Sequence, residues 1–210
     1  MAYNFTAASS QYLTTASAPV SVYPITIACW FKSNLAASTC PISINANISR
    51  SRVNIFILNT GAVNAGVSDA GGTAASTTTT TTAAANTWNH AAGVYTSATS
   101  RTAYLNGGGS TTNTTNIAIS DFAQIGIGAR YSLAWGGFYN GEVAEVGIWN
   151  AALTAAEVAS LAKGMTCDKI RPQSLVFYAP LVRDLVDQKG GRTITNNNGA
   201  TVANHTRVYA

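Results

Sequence analysis

Gly141-Glu142-Val143-Ala144-Glu145-Val146-Gly147-Ile148-Trp149-Asn150-Ala151-Ala152-Leu153-Thr154-Ala155-Ala156-Glu157-Val158 is the stretch on which the reading of the chain turns. Residues 143–149 alternate with period two. They are expected as a β-strand with Ala144, Val146 and Ile148 on one face and Val143, Glu145, Gly147 and Trp149 on the other. The period then changes. Thr154 followed three residues later by Glu157 has the form of a capping box, and Leu153 and Val158 stand where a hydrophobic staple would close the helix entry. Val158, Leu161 and Ala162 share a helical face, and Gly164 supplies a stop. One short helix is predicted at about 155–163, packed as a plug across an edge or end of the fold. No other segment carries helical periodicity as well supported.

Outward from this segment the chain reads as strands. Short candidates lie at Tyr3–Phe5 and Gln11–Leu13. Ile25–Lys32 is apolar at nearly every position, as a strand covered on both faces would be. Pro41–Asn45, Val53–Leu58 and Ala62–Val67 continue the series. Residues 77–82 are an unbroken run of Thr, readable as a Thr-laddered strand or an exposed loop; β-branching favours the strand. Thr87–Tyr95, Arg101–Leu105 and residues 110–115 follow, the last two joined by Asn106-Gly107, the dipeptide a type I′ turn demands. After Asp121–Ile127 comes a long loop, Gly128–Phe138. Leu175–Pro180, Arg192–Thr195 and Thr201–Val202 close the series, with Asn196-Asn197-Asn198-Gly199 as a turn. Strands at roughly 8–12-residue spacing with turn chemistry between them predict an all-β, two-sheet antiparallel sandwich or jelly roll. A single domain over 1–210 is expected, with 168–210 supplying a closing strand and a C-terminal extension.

Composition narrows the function classes. Only 10% of the 210 residues are charged, and the net charge of +4 is dispersed, with no basic run interleaved with aromatics. Nucleic acid is not an expected partner. No apolar run approaches the ~18 residues of a membrane span, so no membrane insertion is expected. Residues 1–20 show no basic stretch leading into an apolar one, so no secretory signal is expected. The Asn-x-Ser/Thr sequons at Asn4, Asn47, Asn113 and Asn204 then follow from an Asn- and Thr-rich composition. Cys29, Cys40 and Cys167 are odd in number and lack CxxC spacing, which predicts reduced thiols rather than a disulfide framework or zinc site. A Cys29–Cys40 bridge is the alternative. Cys29 shares a strand face with Ile25, Ile27 and Phe31 and reads as a buried small hydrophobe.

Catalytic constellations are not found. The chain has eight acidic residues, three of them Glu. Glu142 and Glu145, three apart on a strand, are expected on opposite faces, where they cannot flank one glycosidic bond. His90 falls on the Trp88, Ala92 and Val94 face, and His205 has no partner near it in sequence. No Gly-x-Ser-x-Gly elbow, His-Glu-x-x-His or Walker loop is present. Gly126-x-Gly128 is followed by Tyr131 where a dinucleotide fingerprint needs glycine. No enzyme is predicted, and no catalytic residue.

The ordered set of strands nevertheless resembles a known family. Phe5 to Tyr12-Leu13, Pro24-Ile25-Thr26-Ile27-Ala28-Cys29-Trp30-Phe31-Lys32, Trp88-Asn89-His90-Ala91-Ala92-Gly93-Val94 and Arg101 to Tyr104-Leu105-Asn106-Gly107 resemble laminin-G-like, pentraxin-like jelly-roll domains. Ile125-Gly126, Phe138 to Gly141 and residues 141–161 complete the pattern, over about 1–162. The resemblance implies the concanavalin A-like fold, one sheet concave, with binding sites on the concave face or at a loop rim. It implies that Phe138 and Tyr139 begin a strand as core residues. It also leaves calcium open as a cofactor, through loop oxygens such as Asp69, Asp121 and Asn140, with Asp184 and Asp187 further off. For a glycan, exposed aromatic platforms are needed. Tyr131, Trp135, Phe138 and Tyr139 are the best cluster, with Arg130 as donor or cation–π partner. Leu175-Val176-Phe177-Tyr178-Ala179-Pro180-Leu181 resembles the family's closing strand. Arg183-Asp184-Leu185 and Arg207-Val208-Tyr209 are similar to stand-alone proteins of tailed-bacteriophage genomes. The expectation is a non-enzymatic structural or interaction protein: a phage capsid-decoration or tail-appendage component, made in the host cytoplasm and displayed on the virion surface. Its partners would be other virion proteins or copies of itself. A carbohydrate-binding module for adhesion or host-surface recognition is the alternative.

Overall fold

The computed structural model describes residues 1–205; Arg207, Val208 and Tyr209 lie outside them. Strands β1 (Ala2–Phe5), β2 (Tyr12–Thr14), β3 (Ile25–Ser33), β4 (Thr39–Ala46), β5 (Arg52–Ile57), β6 (Ala62–Ser68) and β7 (Ala74–Thr82) are followed by β8 (Asn89–Ser97), β9 (Ser100–Leu105) and β10 (Gly108–Asn113). Then come β11 (Phe122–Ile127), β12 (Arg130–Tyr131), β13 (Trp135–Gly136), β14 (Gly141–Trp149), helix α1 (Ala155–Ala162), β15 (Leu175–Ala179), β16 (Thr195–Asn197) and β17 (Thr201–Ala203). Two antiparallel sheets result. The first runs β10-β9-β8-β3-β14-β1-β17 with β15 also beside β14; the second runs β16-β2-β11-β4-β5-β6-β7. The expected jelly-roll sandwich is what forms. Its core lies between the sheets, where Ile25, Ile27, Cys29 and Phe31 of β3 join Ile42, Ile44, Val53 and Ile55 of β4 and β5.

The opening stretch holds a departure from simple alternation. β14 pairs with β3 from Gly141↔Ser33 to Ala144↔Trp30, and pairing resumes at Gly147↔Ala28. Glu145 and Val146 therefore stand against Cys29 alone: a β-bulge, with Glu145 at φ 50°. One extra residue resets the pleat. Val143 thus joins Val146 and Ile148 in the main core, while Trp149 moves to the outer side, against α1. The predicted face, with Ala144 beside Val146 and Val143 opposite, is corrected by that one residue.

Helix α1 begins as its sequence demands. The Thr154 N–H donates to Glu157 Oε2 (2.7 Å) and the Glu157 N–H to Thr154 Oγ1 (3.3 Å). Leu153, Val158 and Leu161 pack on Ala28, Ala92, Val94 and Trp149. The helix thus covers the outer face of the first sheet rather than an edge or end. The Asn106-Gly107 turn, with φ 52° and 77°, runs beneath it; a Cβ on Gly107 would stand 2.8 Å from Ala159 Cα.

The Thr run is strand. Thr77 and Thr79 are buried, and Thr111 of β10 donates to Thr78 O (2.6 Å), so threonines close the seam where an edge of each sheet meets. The C-terminal part joins both sheets: β15 and β17 lie in the first, and β16 pairs with β2 in the second. β16 starts later than the predicted Arg192–Thr195, leaving Asn198 (φ 62°) and Gly199 (φ 72°) as the turn. Cys29, Cys40 and Cys167 are buried free thiols. Val158→Asp is expected to lower unfolding free energy by about 3 kcal/mol or more, through lost burial and an unpaired charge. Thr154→Ala should cost about 1 kcal/mol through the lost cap. Denaturant midpoints measure both; an unshifted midpoint for Val158→Asp would refute the packing.

Candidate functional site

The two sheets differ on their outer faces. The first carries α1; the second presents polar side chains between its core positions. On β4, Ile42 and Ile44 face inward while Ser43 and Asn45 face out, and all four are buried. What buries the polar pair is segment 128–139, the predicted loop Gly128–Phe138 with Tyr139, which folds over this face and contains the hairpin β12–β13, each strand two residues long. Ser43 Oγ donates to Ala129 O (2.7 Å), Asn45 Nδ2 donates to Ser43 Oγ (2.9 Å), and Asn45 Oδ1 accepts from the Tyr131 N–H (3.0 Å). The Gly128 N–H donates to Pro41 O (2.9 Å) and the Cys40 N–H to Gly137 O (2.9 Å). Each of these buried polar groups finds a partner, so the loop is held in one geometry.

That geometry assembles an aromatic platform. Tyr12 of β2 lies 4.5 Å from Trp135 and 5.9 Å from Phe138, centroid to centroid, and Tyr131 lies 5.4 Å from Trp135. The four side chains remain partly exposed. Trp135 rests on Gly126, where a Cβ would come within 2.7 Å of the indole, so glycine there is what lets the ring approach the sheet. Beside the platform the Arg130 guanidinium sits over the Phe56 ring at 5.5 Å. A cavity of about 340 Å³ opens next to it, lined in part by Arg52, Asn54, Phe56, Asn64 and Arg130.

Of the residues singled out from sequence, Arg130, Tyr131 and Trp135 are brought together, and Phe138 with them. Tyr139 is not. It is 0% exposed in the core, edge-on to Phe5, with its hydroxyl donating to Lys32 O (3.1 Å). Its neighbour faces out because adjacent residues of an extended chain point to opposite sides. Tyr12, Ser43, Asn45, Arg52 and Phe56 complete the site. Ser43 and Asn45 were visible as polar residues alternating with Ile42 and Ile44; Tyr12 carried no local signal.

Each of the carboxylate and amide oxygens named as calcium candidates, Asp69, Asp121 and Asn140, is engaged by a partner within the protein. Asp69 caps its own turn, accepting from the Gly72 and Thr73 N–H groups (both 2.8 Å). Asp121 is exposed and bonded by Ser120, and Asn140 Oδ1 accepts from the Ala7 N–H (3.3 Å). Asp187 is buried, taking three backbone N–H groups on one oxygen and Arg192 on the other. Among the described residues no three His, Cys, Asp or Glu side chains gather around one point. The acid pair needs a correction too. The bulge turns the Glu145 carboxylate to Tyr178 (2.5 Å), which belongs to the helix-side cluster, and Glu142 pairs with Lys32 (3.0 Å) on that same outer side. Opposite faces do not separate the two; separate partners engage each.

His90 is buried against Trp30, and His205 packs on Trp88 (4.3 Å) and Trp30 (5.8 Å). Burial pushes the His90 pKa down from 6.5 to about 3.

A two-sheet antiparallel jelly roll with one outer face capped by a helix and the other bearing an aromatic loop defines a lectin-like β-sandwich. The chain belongs to the concanavalin A-like lectin/glucanases superfamily, whose Laminin_G_3 model matches residues 7–159. A comparison with curated proteins finds no match. Among solved structures, a native heptameric SAP-like pentraxin from Limulus polyphemus is 17% identical (TM-score 0.68), the match covering 91% of this chain and 87% of that one. A Bacteroides ovatus protein described as carbohydrate binding is 18% identical (TM-score 0.69); the match covers 100% of this chain and 61% of that one. The CBM40 of a Ruminococcus gnavus IT-sialidase, bound to α2,3-sialyllactose, is 13% identical (TM-score 0.58), with 68% and 84% covered. These likenesses are of fold, and they bear out the laminin-G-like, pentraxin-like resemblance.

His90 supplies a pH test. Its folded pKa lies below the unfolded value, so its contribution to stability is complete above pH 6.5 and is lost as pH falls toward 3. His90→Gln should therefore be less stable than wild type at pH 7, with the deficit shrinking toward pH 5. Thermal melts across that range decide it; a constant deficit would refute the neutral, buried assignment.

Proposed function

We propose that this chain is a non-enzymatic carbohydrate-binding domain whose contact surface is the outer face of the second sheet around segment 128–139. The observation that carries this reading is the platform of Tyr12, Tyr131, Trp135 and Phe138, part-exposed and pre-ordered by Ser43 and Asn45. Sugar rings present apolar C–H faces and polar edges. Aromatic ring faces receive the first, and amides and guanidinium groups lining the cavity beside Arg130 receive the second. Holding the loop by buried hydrogen bonds before binding lowers the ordering cost. The carboxylates that a glycosidase would need are engaged elsewhere, Glu142 by Lys32 and Glu145 by Tyr178. Carbohydrate-binding neighbours of the same fold support the reading.

A second reading concerns where such a domain works. The resemblance of Arg183-Asp184-Leu185 to phage proteins favours a virion component, a decoration or tail-appendage protein on the particle surface, in contact with other virion proteins or copies of itself. Many copies on one particle would raise weak single-site binding by avidity. The two readings are compatible, and each has its own test. On a glycan array, wild type should bind a restricted set of sugars and Trp135→Ala should bind at least about tenfold more weakly, which is about 1.4 kcal/mol. Failure of wild type to bind any glycan removes the lectin reading. Mass spectrometry of purified particles tests the other: absence of the protein from particles of the encoding phage, or a non-viral origin, removes it.

A further inference from the structure

Cationic groups on the second sheet's outer face have no ion-pair partner among the described residues. The described residues contain four ion pairs: Lys32–Glu142, Lys169–Asp168, Arg171–Glu157 and Arg192–Asp187. Arg50, Arg52 and Arg130 belong to none of them. Arg52 and Arg130 line the same cavity, with Asn54, Asn64 and Phe56. Arg52 is half-buried: its Nη1 donates to Arg50 O (2.9 Å) and Ser132 Oγ (3.2 Å), while its Nε is buried with no partner. Arg130 is held over Phe56, so its planar fork is oriented before any ligand arrives.

An unsatisfied donor on a desolvated cation costs stability, and two like charges facing one cavity cost more. A site of this kind is stabilised when an anion enters. We infer that the ligand of this face is an acidic glycan, one whose carboxylate or sulfate is taken between Arg52 and Arg130 while a neighbouring ring lies on the Tyr131–Trp135 platform. The inference rests on the carbohydrate-binding reading and specifies its ligand class. Guanidinium forks match the planar oxygen pair of a carboxylate and two oxygens of a sulfate alike. The Asn54 and Asn64 amides supply the neutral contacts of the cavity. Burial, with Arg130 beside it, holds the Arg52 guanidinium below its usual range, a charge environment an anion would reverse. At about 340 Å³ the cavity falls within the range of small-molecule sites.

The test uses the whole chain on an array of neutral, sialylated, uronate-bearing and sulfated oligosaccharides, followed by calorimetry with one member of each class. Binding confined to acidic members, weakened at least tenfold by Arg130→Gln and weakened by added salt, supports the inference; the preferred acidic class assigns carboxylate or sulfate. Arg52→Lys, which keeps the charge but loses the fork, should weaken the same ligands, and thermal melts of both variants verify folding. Binding of neutral sugars that is indifferent to salt and to Arg130→Gln overturns the acidic assignment and leaves the carbohydrate reading standing. No binding of any class overturns both.

Discussion

Strand β14 has to be buried on both faces and paired on both edges, and the rest of the sandwich is arranged to meet that constraint. On one edge it is paired with β3; on the other it takes β1 for Gly141–Val143 and then β15 for Val146–Trp149. Strict alternation would put Glu145 and Trp149 on the core side with Val143. A buried carboxylate between two apolar sheets would be heavily penalised. The bulge at Glu145 resolves the conflict. Val146 and Ile148 enter the core, Trp149 leaves it, and the carboxylate finds the Tyr178 hydroxyl. Burial still raises the Glu145 pKa, a cost the hydrogen bond from Tyr178 partly offsets. Trp149, moved outward, then needs a cover, which α1 and the Ile170 carbonyl provide; its Nε1–H donates to that carbonyl at 2.8 Å.

The asymmetry of the two outer faces follows. An amphipathic helix can bury only apolar surface, and β3 and β8 offer it Ala28, Ala92 and Val94. Beneath segment 128–139 the second sheet offers Ser43 and Asn45 instead. The Ser43 hydroxyl and the Asn45 carbonyl would be left unpaired beneath a helix, whose backbone groups are already used within it. An irregular segment has free carbonyl and N–H groups, and Ser43 and Asn45 bind such groups at Ala129 and Tyr131. The same polar face that rules out a helical cover therefore selects a loop. With the loop come its aromatic side chains, and the ligand surface is placed opposite the helix for that reason.

How much of this was legible in the chain depends on the range of the interaction concerned. The capping box of Thr154 and Glu157, the staple of Leu153 and Val158, and the Asn106-Gly107 turn are local chemistry, and each stands where its residues place it. The bulge was not legible, because nothing in Glu145 itself marks a left-handed position; it arises from the competition between two registers. Arg130, Tyr131 and Trp135 lie close in sequence and were readable together. Tyr12, Arg52 and Phe56 reach them only through the β2–β11–β4–β5 pairing. Of the two readings of Tyr139, the core position implied by the family resemblance is the one it takes, and its place in the glycan cluster is not, because its side depends on the strand register. The partners of Asp69 and Asn140 were not legible, because a sequence shows the acceptor type and not the backbone N–H groups that bond to it.

The segment beyond the family match, which ends at residue 159, also bears on the site. β2 is three residues long and would have little to hold it on β11 alone. It lies between β11 and β16, with Asn197↔Tyr12 and Thr195↔Thr14 in register, and Asn197 Nδ2 donates to Thr14 Oγ1 (3.1 Å). Asn198 Nδ2 donates to Ser10 O (2.8 Å) and Gln11 Nε2 to Gly199 O (3.0 Å), which ties the turn after β16 to the residues entering β2. The strand that presents Tyr12 to Trp135 is thus secured from its far side by the C-terminal extension. The extension is part of how the aromatic platform is built, although none of its described residues belongs to the platform.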